Sequence, residues 1–142
     1  MKPEDFERLQ ALVASRAGYR LGRSRMHLAT LRLGPVARRE GFDSIDALLA
    51  AVWARPIASL GWAVIEAMLN LETWFRRDRG AYQILETELL PALARARGPG
   101  RRLRILSAGC ATGQEAYSLA ITCLEAGTPA EIMGVDLSHA AI

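Results

Sequence analysis

Apolar residues recur at helical spacing through the first two thirds of the chain and change rhythm near residue 100. Phe6, Leu9, Val13 and Ala17 fall at i, i+3, i+7 and i+11, one stripe of a helix that Pro3 opens and Gly18 stops. A second segment from Ser24 sets Met26, Leu28, Leu31 and Leu33 among arginines. Gly34-Pro35 interrupts it, and because proline lacks an N–H and collides with the preceding turn, that helix is predicted to end or kink there. Asp43 or Ser44 is placed to cap a third helix through Leu48, Leu49, Val52 and Trp53, closed by Arg55-Pro56. A fourth covers Ala58 to Leu69, with Leu60, Val64, Ile65 and Met68 as its apolar face. A fifth runs from about Asp78 to Ala96, with Tyr82, Leu85, Leu89 and Leu93 on one side.

The breaker-rich segment Gly98-Pro99-Gly100-Arg101-Arg102 then reads as a linker. It leads into a short strand, Leu103-Arg104-Ile105-Leu106, and the small-residue run from Ser107 to Gly113. A helix carrying Tyr117, Leu119, Ala120, Ile121 and Leu124 follows, broken by Gly127-Thr128-Pro129. The second strand is Glu131 to Asp136, and Ser138 is placed to cap one more helix. Strand, glycine loop, helix, strand, acidic residue is the opening βαβ of a doubly wound α/β sheet. Two parallel strands do not make a stable sheet alone, so the chain is expected to stop inside its second domain.

Composition narrows the class. Of 142 residues, 51% are apolar and 23% charged, which supports a packed core. No run of about 18 uncharged apolar residues exists, so no membrane-spanning helix is predicted. The start, Met-Lys-Pro-Glu-Asp-Phe, lacks the layout of a signal peptide, which points to the cytoplasm. Cys110 and Cys123 are too few for a disulfide scaffold and stand at no metal-ligand spacing, so no metal is expected. All 18 Lys and Arg lie at or before Arg104, against 11 acidic residues there, a net +7; the remainder carries four acids and no Lys or Arg. Such asymmetry suggests two modules, the first suited to an acidic partner.

The chemistry concentrates in two motifs. In the glycine loop, Gly109 and Gly113 let the backbone turn sharply and a ligand approach, facing the N–H groups of the next helix. Neither a P-loop Gly-Lys-Ser/Thr nor G-x-G-x-x-G spacing is present. Packing alone also accounts for small residues at such a turn. Asp136, 23 residues after Gly113, stands where a carboxylate can accept both hydroxyls of an adenosine ribose, or cap the next helix. Glu115 is either a favourable charge at a helix N-terminus or a carboxylate facing a cationic ligand. The second motif, Glu72-Thr73-Trp74-Phe75-Arg76-Arg77-Asp78, reads as a nucleic-acid contact or as an elbow between helices.

Together the two motifs resemble those of the CheR family, chemotaxis receptor methyltransferases that use S-adenosyl-L-methionine. That family carries an element of the type N-E-T-x-F-F-R-D, a run like W-S-A-G-C-S-T-G-E-E-P-Y-S-L-A, and a second strand ending in G-x-D. Here the counterparts are Glu72 to Asp78, Leu106-Ser107-Ala108-Gly109-Cys110-Ala111-Thr112-Gly113-Gln114-Glu115-Ala116-Tyr117-Ser118-Leu119-Ala120, and Gly134-Val135-Asp136. The resemblance implies a helical domain over residues 1–70, a connecting elbow, helix and linker over 71–102, and the first half of a Rossmann-like methyltransferase domain over 103–142. It implies that Thr73 and Arg77 help hold the cofactor, with Arg77 at the reacting centre. The loop residues Ala108, Gly109 and Gly113 would line the cofactor site, Glu115 would face the cofactor, and Asp136 would bind its ribose.

The sequence departs from the family pattern at Leu71 for asparagine, Arg76 for phenylalanine, Leu106 for tryptophan, Gln114 for glutamate and Ala116 for proline. These substitutions bear on catalysis more than on fold. The family's later strands and active-site tyrosine do not appear before Ile142, so a fragment is expected. The implied reaction is methyl transfer to glutamate side chains of receptors or related signalling proteins. The alternative is a degenerate, non-catalytic CheR-like binding or sensing module. The implied partners are acidic receptor helices, with Arg32, Arg38 and Arg39 in the docking segment; nucleic acid and membrane insertion are not expected.

Overall fold

The structure, a computed structural model, describes residues 1–54, 58–98 and 100–141. It divides into two compact units, Met1–Asn70 and Leu71–Ile142.

The first unit is helical. Helix α1 (Pro3–Ala17) begins on proline and ends at Gly18, whose left-handed backbone (φ 64°) returns its N–H to the Ala14 carbonyl. A 3₁₀ turn, Arg23–Arg25, leads into α2 (Met26–Arg39). Of the two outcomes expected at Gly34-Pro35, an end or a kink, the helix does not end there: α2 continues through Pro35 to Arg39. Gly34 has no Cβ, which removes part of proline's clash with the residue before it. Helix α3 (Ile45–Ala54) is capped by Ser44, whose hydroxyl oxygen accepts the Ala47 N–H at 3.1 Å. Its expected closure, Arg55-Pro56, lies outside the described residues. Helix α4 (Ala58–Met68) packs on α2 and α1. The Arg32 guanidinium donates to the carbonyls of Ala67, Met68 and Leu69, the closest at 2.9 Å, so it caps the α4 C-terminus. The anticipated stripes converge: Leu9, Val13, Leu33, Leu48, Leu49 and Val64 are all sealed from solvent.

The second unit opens with the elbow and a helix that is not regular. Asp78 caps α5 (Arg79–Ile84), accepting the Ala81 N–H at 3.2 Å. A wide π turn (Leu85–Leu89) follows, and α6 (Leu90–Arg97) resumes just before Pro91. The Leu90 N–H bonds back to the Leu85 carbonyl, five residues away. The extra residue shifts the helical face by one position. Leu90 is therefore buried, while Leu89 and Leu93, expected on the packed side, are exposed.

Strands β1 (Leu103–Ala108) and β2 (Ala130–Val135) pair in parallel, Leu103 opposite Ala130 through Ala108 opposite Val135. Between them α7 (Gln114–Glu125) buries Ser118, Thr122 and Cys123. Tyr117 and Leu124 of its apolar pattern are 67% and 79% exposed, because two strands offer a helix little to cover. The core joins Leu90, Leu103 and Cys123, with Leu85, Ile105, Ala130 and Ile132 around them. After Ser138 the described residues 139–141 form a turn. This is a mixed α/β chain with the first parallel strand pair of a Rossmann-like sheet. Among the described residues no helix is long and apolar enough to cross a membrane.

Candidate functional site

The loop from β1 to α7 is built on unusual backbone. Gly109 and Gly113 are left-handed at φ 85° and 92°, and Ala111 sits at φ 47° without glycine's freedom, at a cost of about 1–2 kcal/mol. The end of β2 holds this loop. The Val135 carbonyl accepts both the Gly109 N–H (2.7 Å) and the Cys110 N–H (3.1 Å). One oxygen of Asp136 accepts the Ala111 N–H at 2.8 Å, and the other accepts the Ser138 N–H at 2.8 Å. Charge-assisted bonds of this kind offset the strain at Ala111. Gly134 allows the close approach: a Cβ there would lie 3.0 Å from Cys110 Sγ and 3.4 Å from Ala116 Cβ.

Glu115 stands in the first turn of α7, and one of its oxygens accepts the Ser107 hydroxyl at 2.7 Å. Ser107 is buried, so a satisfied polar pair ties the helix start to the end of β1. A groove of about 640 Å³ lies beside the loop, lined by Thr112, Gly113, Tyr117, Ile132 and Gly134 among others. The structure thus brings Gly109, Gly113, Glu115 and Asp136 around one loop, with Ala108 leading into it at the β1 end.

The elbow is a separate construction. Arg77 stacks on the Trp74 ring, 4.7 Å to its centre, and donates to the Glu72 carbonyl at 2.7 Å. No hydrogen bond or ion pair joins Thr73 or Arg77 to the loop among the described residues. Arg76, which departs from an aromatic pattern, pairs its guanidinium with Glu125 at the end of α7, so the charge is neutralised rather than left to pack. Its backbone is left-handed (φ 49°), and its N–H donates to the Ser118 hydroxyl oxygen at 3.0 Å.

Sequence reasoning assigned no role to Ser107, Ser118, Gly134 or Tyr82. Ser118 carried a signal: a serine four residues after Gln114 can return its hydroxyl to that carbonyl, and it does, at 2.6 Å. Tyr82 reaches the Glu115 carbonyl at 3.5 Å. Among the described residues no cluster of His, Cys, Asp or Glu is arranged to hold a metal.

Residues 71–142 match the family model described as CheR methyltransferase, SAM binding domain. Over 82% of its length the chain is 32% identical to Chemotaxis protein methyltransferase Cher2 of Pseudomonas putida, of which it covers 42%. Over 94% it is 33% identical to Chemotaxis protein methyltransferase 1 of Pseudomonas aeruginosa, covering 51%. Over 92% it is 36% identical to Probable biofilm formation methyltransferase WspC of Pseudomonas aeruginosa, covering 30%. The chain spans about half the length, or less, of these curated relatives.

Proposed function

The chain belongs to the CheR methyltransferase family, whose methyl donor is S-adenosyl-L-methionine, and we propose that it contributes the cofactor-binding start of a protein-glutamate O-methyltransferase acting on chemotaxis receptors or related signalling proteins. The observation that carries this reading is the Asp136 carboxylate drawn against the glycine loop by the Ala111 N–H. A carboxylate has about four acceptor positions. Two are used by Ala111 and Ser138, which leaves capacity for ribose hydroxyls. Glu115, exposed beyond its bond to Ser107, supplies a second carboxylate toward an ammonium group. Open space lies over Gly109, where a ligand can approach the backbone. The donor set and the loop therefore fit the cofactor.

When bound, S-adenosyl-L-methionine supplies a methyl group on a sulfonium, open to in-line attack by a carboxylate. A substrate glutamate is ionised at neutral pH, since its ordinary pKa is about 4.3. The residues of this chain then need to position and desolvate rather than move protons. Arg77 keeps guanidinium donors beyond the one given to Glu72 and would steer a carboxylate, with Thr73 beside it in the elbow. Calorimetric titration of the chain with S-adenosylhomocysteine tests the reading. Saturable binding is expected, weakened at least about tenfold in Asp136→Ala. A folded chain that binds nothing, or an Asp136→Ala chain that binds equally well, overturns it.

A second reading, a non-catalytic binding module, is favoured by Arg77, which spends contacts on Glu72 and Trp74 rather than on the loop. Cofactor binding without methyl transfer to receptor glutamates, in the full-length enzyme, would select it.

Docking on acidic receptor helices would rest on Arg38 and Arg39, because Arg32 is committed to α4. Arg38 has no ion pair among the described residues, and Arg39 meets only its neighbour Glu40. Charge reversal at both is expected to weaken receptor binding in a pull-down at low salt, and unchanged binding removes the docking role.

A further inference from the structure

Among the described residues the elbow and the cofactor loop share no hydrogen bond or ion pair, yet one buried side chain touches both the elbow and the helix that carries Glu115. Ser118 is fully buried in the second turn of α7. Its hydroxyl donates to the Gln114 carbonyl and accepts the N–H of Arg76, and it also interacts with the Tyr82 hydroxyl. Arg76 stands between Thr73 and Arg77 in a left-handed conformation that costs a side-chain-bearing residue free energy and persists only where neighbours enforce it. Two neighbours do so. Ser118 holds the Arg76 backbone, and Glu125, seven residues further along α7, holds its guanidinium. A third tie runs from α5, where the Tyr82 hydroxyl reaches the Glu115 carbonyl.

We propose that Ser118 is a positioning residue that fixes the Thr73–Arg77 elbow to the helix bearing Glu115, so that elbow and loop answer the cofactor as one unit. This rests on the cofactor-binding reading above. Without the hydroxyl, the Arg76 N–H loses its partner while its strained backbone remains, and the elbow relaxes toward ordinary backbone angles. Arg77 then loses its fixed direction, although the loop and its tether to Asp136 stay intact. Ser118 acts here through Arg76 and touches no ligand itself.

Ser118→Ala tests this with two readouts, calorimetric affinity for S-adenosylhomocysteine and amide hydrogen exchange at saturating ligand. In the unsubstituted chain, ligand is expected to slow exchange both in the loop, residues 109–113, and in the elbow, residues 73–77. In Ser118→Ala the affinity is expected to fall about tenfold, the loop to keep its protection and the elbow to lose it. An elbow protected as before, or an unchanged affinity, overturns the proposal and leaves the cofactor reading standing. So does loss of helical circular dichroism before ligand is added, which would make Ser118 a folding residue only. A folded unsubstituted chain that binds no ligand removes both readings.

Discussion

The two units of this chain are held together by different means. In the first, thirteen buried apolar residues from four helices and Leu21 from the loop after α1 form one cluster. In the second, the buried cluster is Leu90, Leu103 and Cys123, and the outer face of the sheet leaves Leu106 59% and Met133 52% exposed. The buried polar residues divide the opposite way: Ser107, Ser118, Thr122 and Ser138 all lie in the second unit. Apolar burial is non-directional and gives stability, whereas hydrogen bonds between named atoms give direction at modest net stability. The region proposed to bind a ligand is the one built from directional ties, and the region without such a site is the one built from core.

The largest expected effect tests that contrast at equal chemistry. Leu33 and Leu90 are both sealed from solvent. Leu33→Ala should cost about 3–4 kcal/mol, because helices on several sides hold the cavity open. Leu90→Ala should cost nearer 2 kcal/mol, because a thin layer of neighbours can collapse into the space. Urea denaturation, with amide exchange to resolve the units, measures both, and equal costs would break the comparison. A smaller effect is expected at Arg32, which makes one of the first unit's long-range polar ties, alongside Trp53 with Asp5. Arg32→Ala removes the donor at the end of α4 and should cost about 1 kcal/mol. Exchange at the Ala67 to Leu69 amides should rise while the Leu9 and Val13 amides stay protected. A loss as large as that of Leu33→Ala would mean that polar ties carry the first unit as well.

The same contrast explains what was legible in the sequence. Helical spacing found the first unit because its stripes face a true core: Phe6, Leu9 and Val13 were spaced for burial and are buried. Of the end or kink it expected at Pro35, the end does not occur. In the second unit the same spacing misplaced the buried face of α6. The π turn before Pro91 moved burial from Leu89 to Leu90. On α7 the few partners selected Ser118, Thr122 and Cys123 over Tyr117 and Leu124. The turn of the loop was legible because Gly109 and Gly113 answer to local backbone rules, whereas the bond from the Ala111 N–H to the Asp136 carboxylate joins atoms 25 residues apart that no motif pairs. What periodicity cannot carry is pairing between distant atoms, as between Arg76 and Ser118, 42 residues apart.

The smallest effect is one of pH and belongs to the second unit, since the first contains no cysteine. Burial pushes the Cys123 thiol above its ordinary 9.0. The Tyr82 phenol is raised above 10.0, first by desolvation and then by the charge of Glu115, against a lowering by the Ser118 hydrogen bond and Arg76. Both groups ionise more readily in the unfolded chain, so above about pH 9 the folded state holds more protons than the unfolded one. Stability then falls as pH rises, first through the thiol and next through the phenol, and it is fully present below pH 9. Urea midpoints for the β1–α7 region should drop between pH 8 and pH 10.5, and Cys123→Val should shrink the drop by removing the group that ionises first. An unaltered drop in Cys123→Val would place the alkaline sensitivity outside this core, and with it the claim that the second unit's thin interior still excludes water from Cys123.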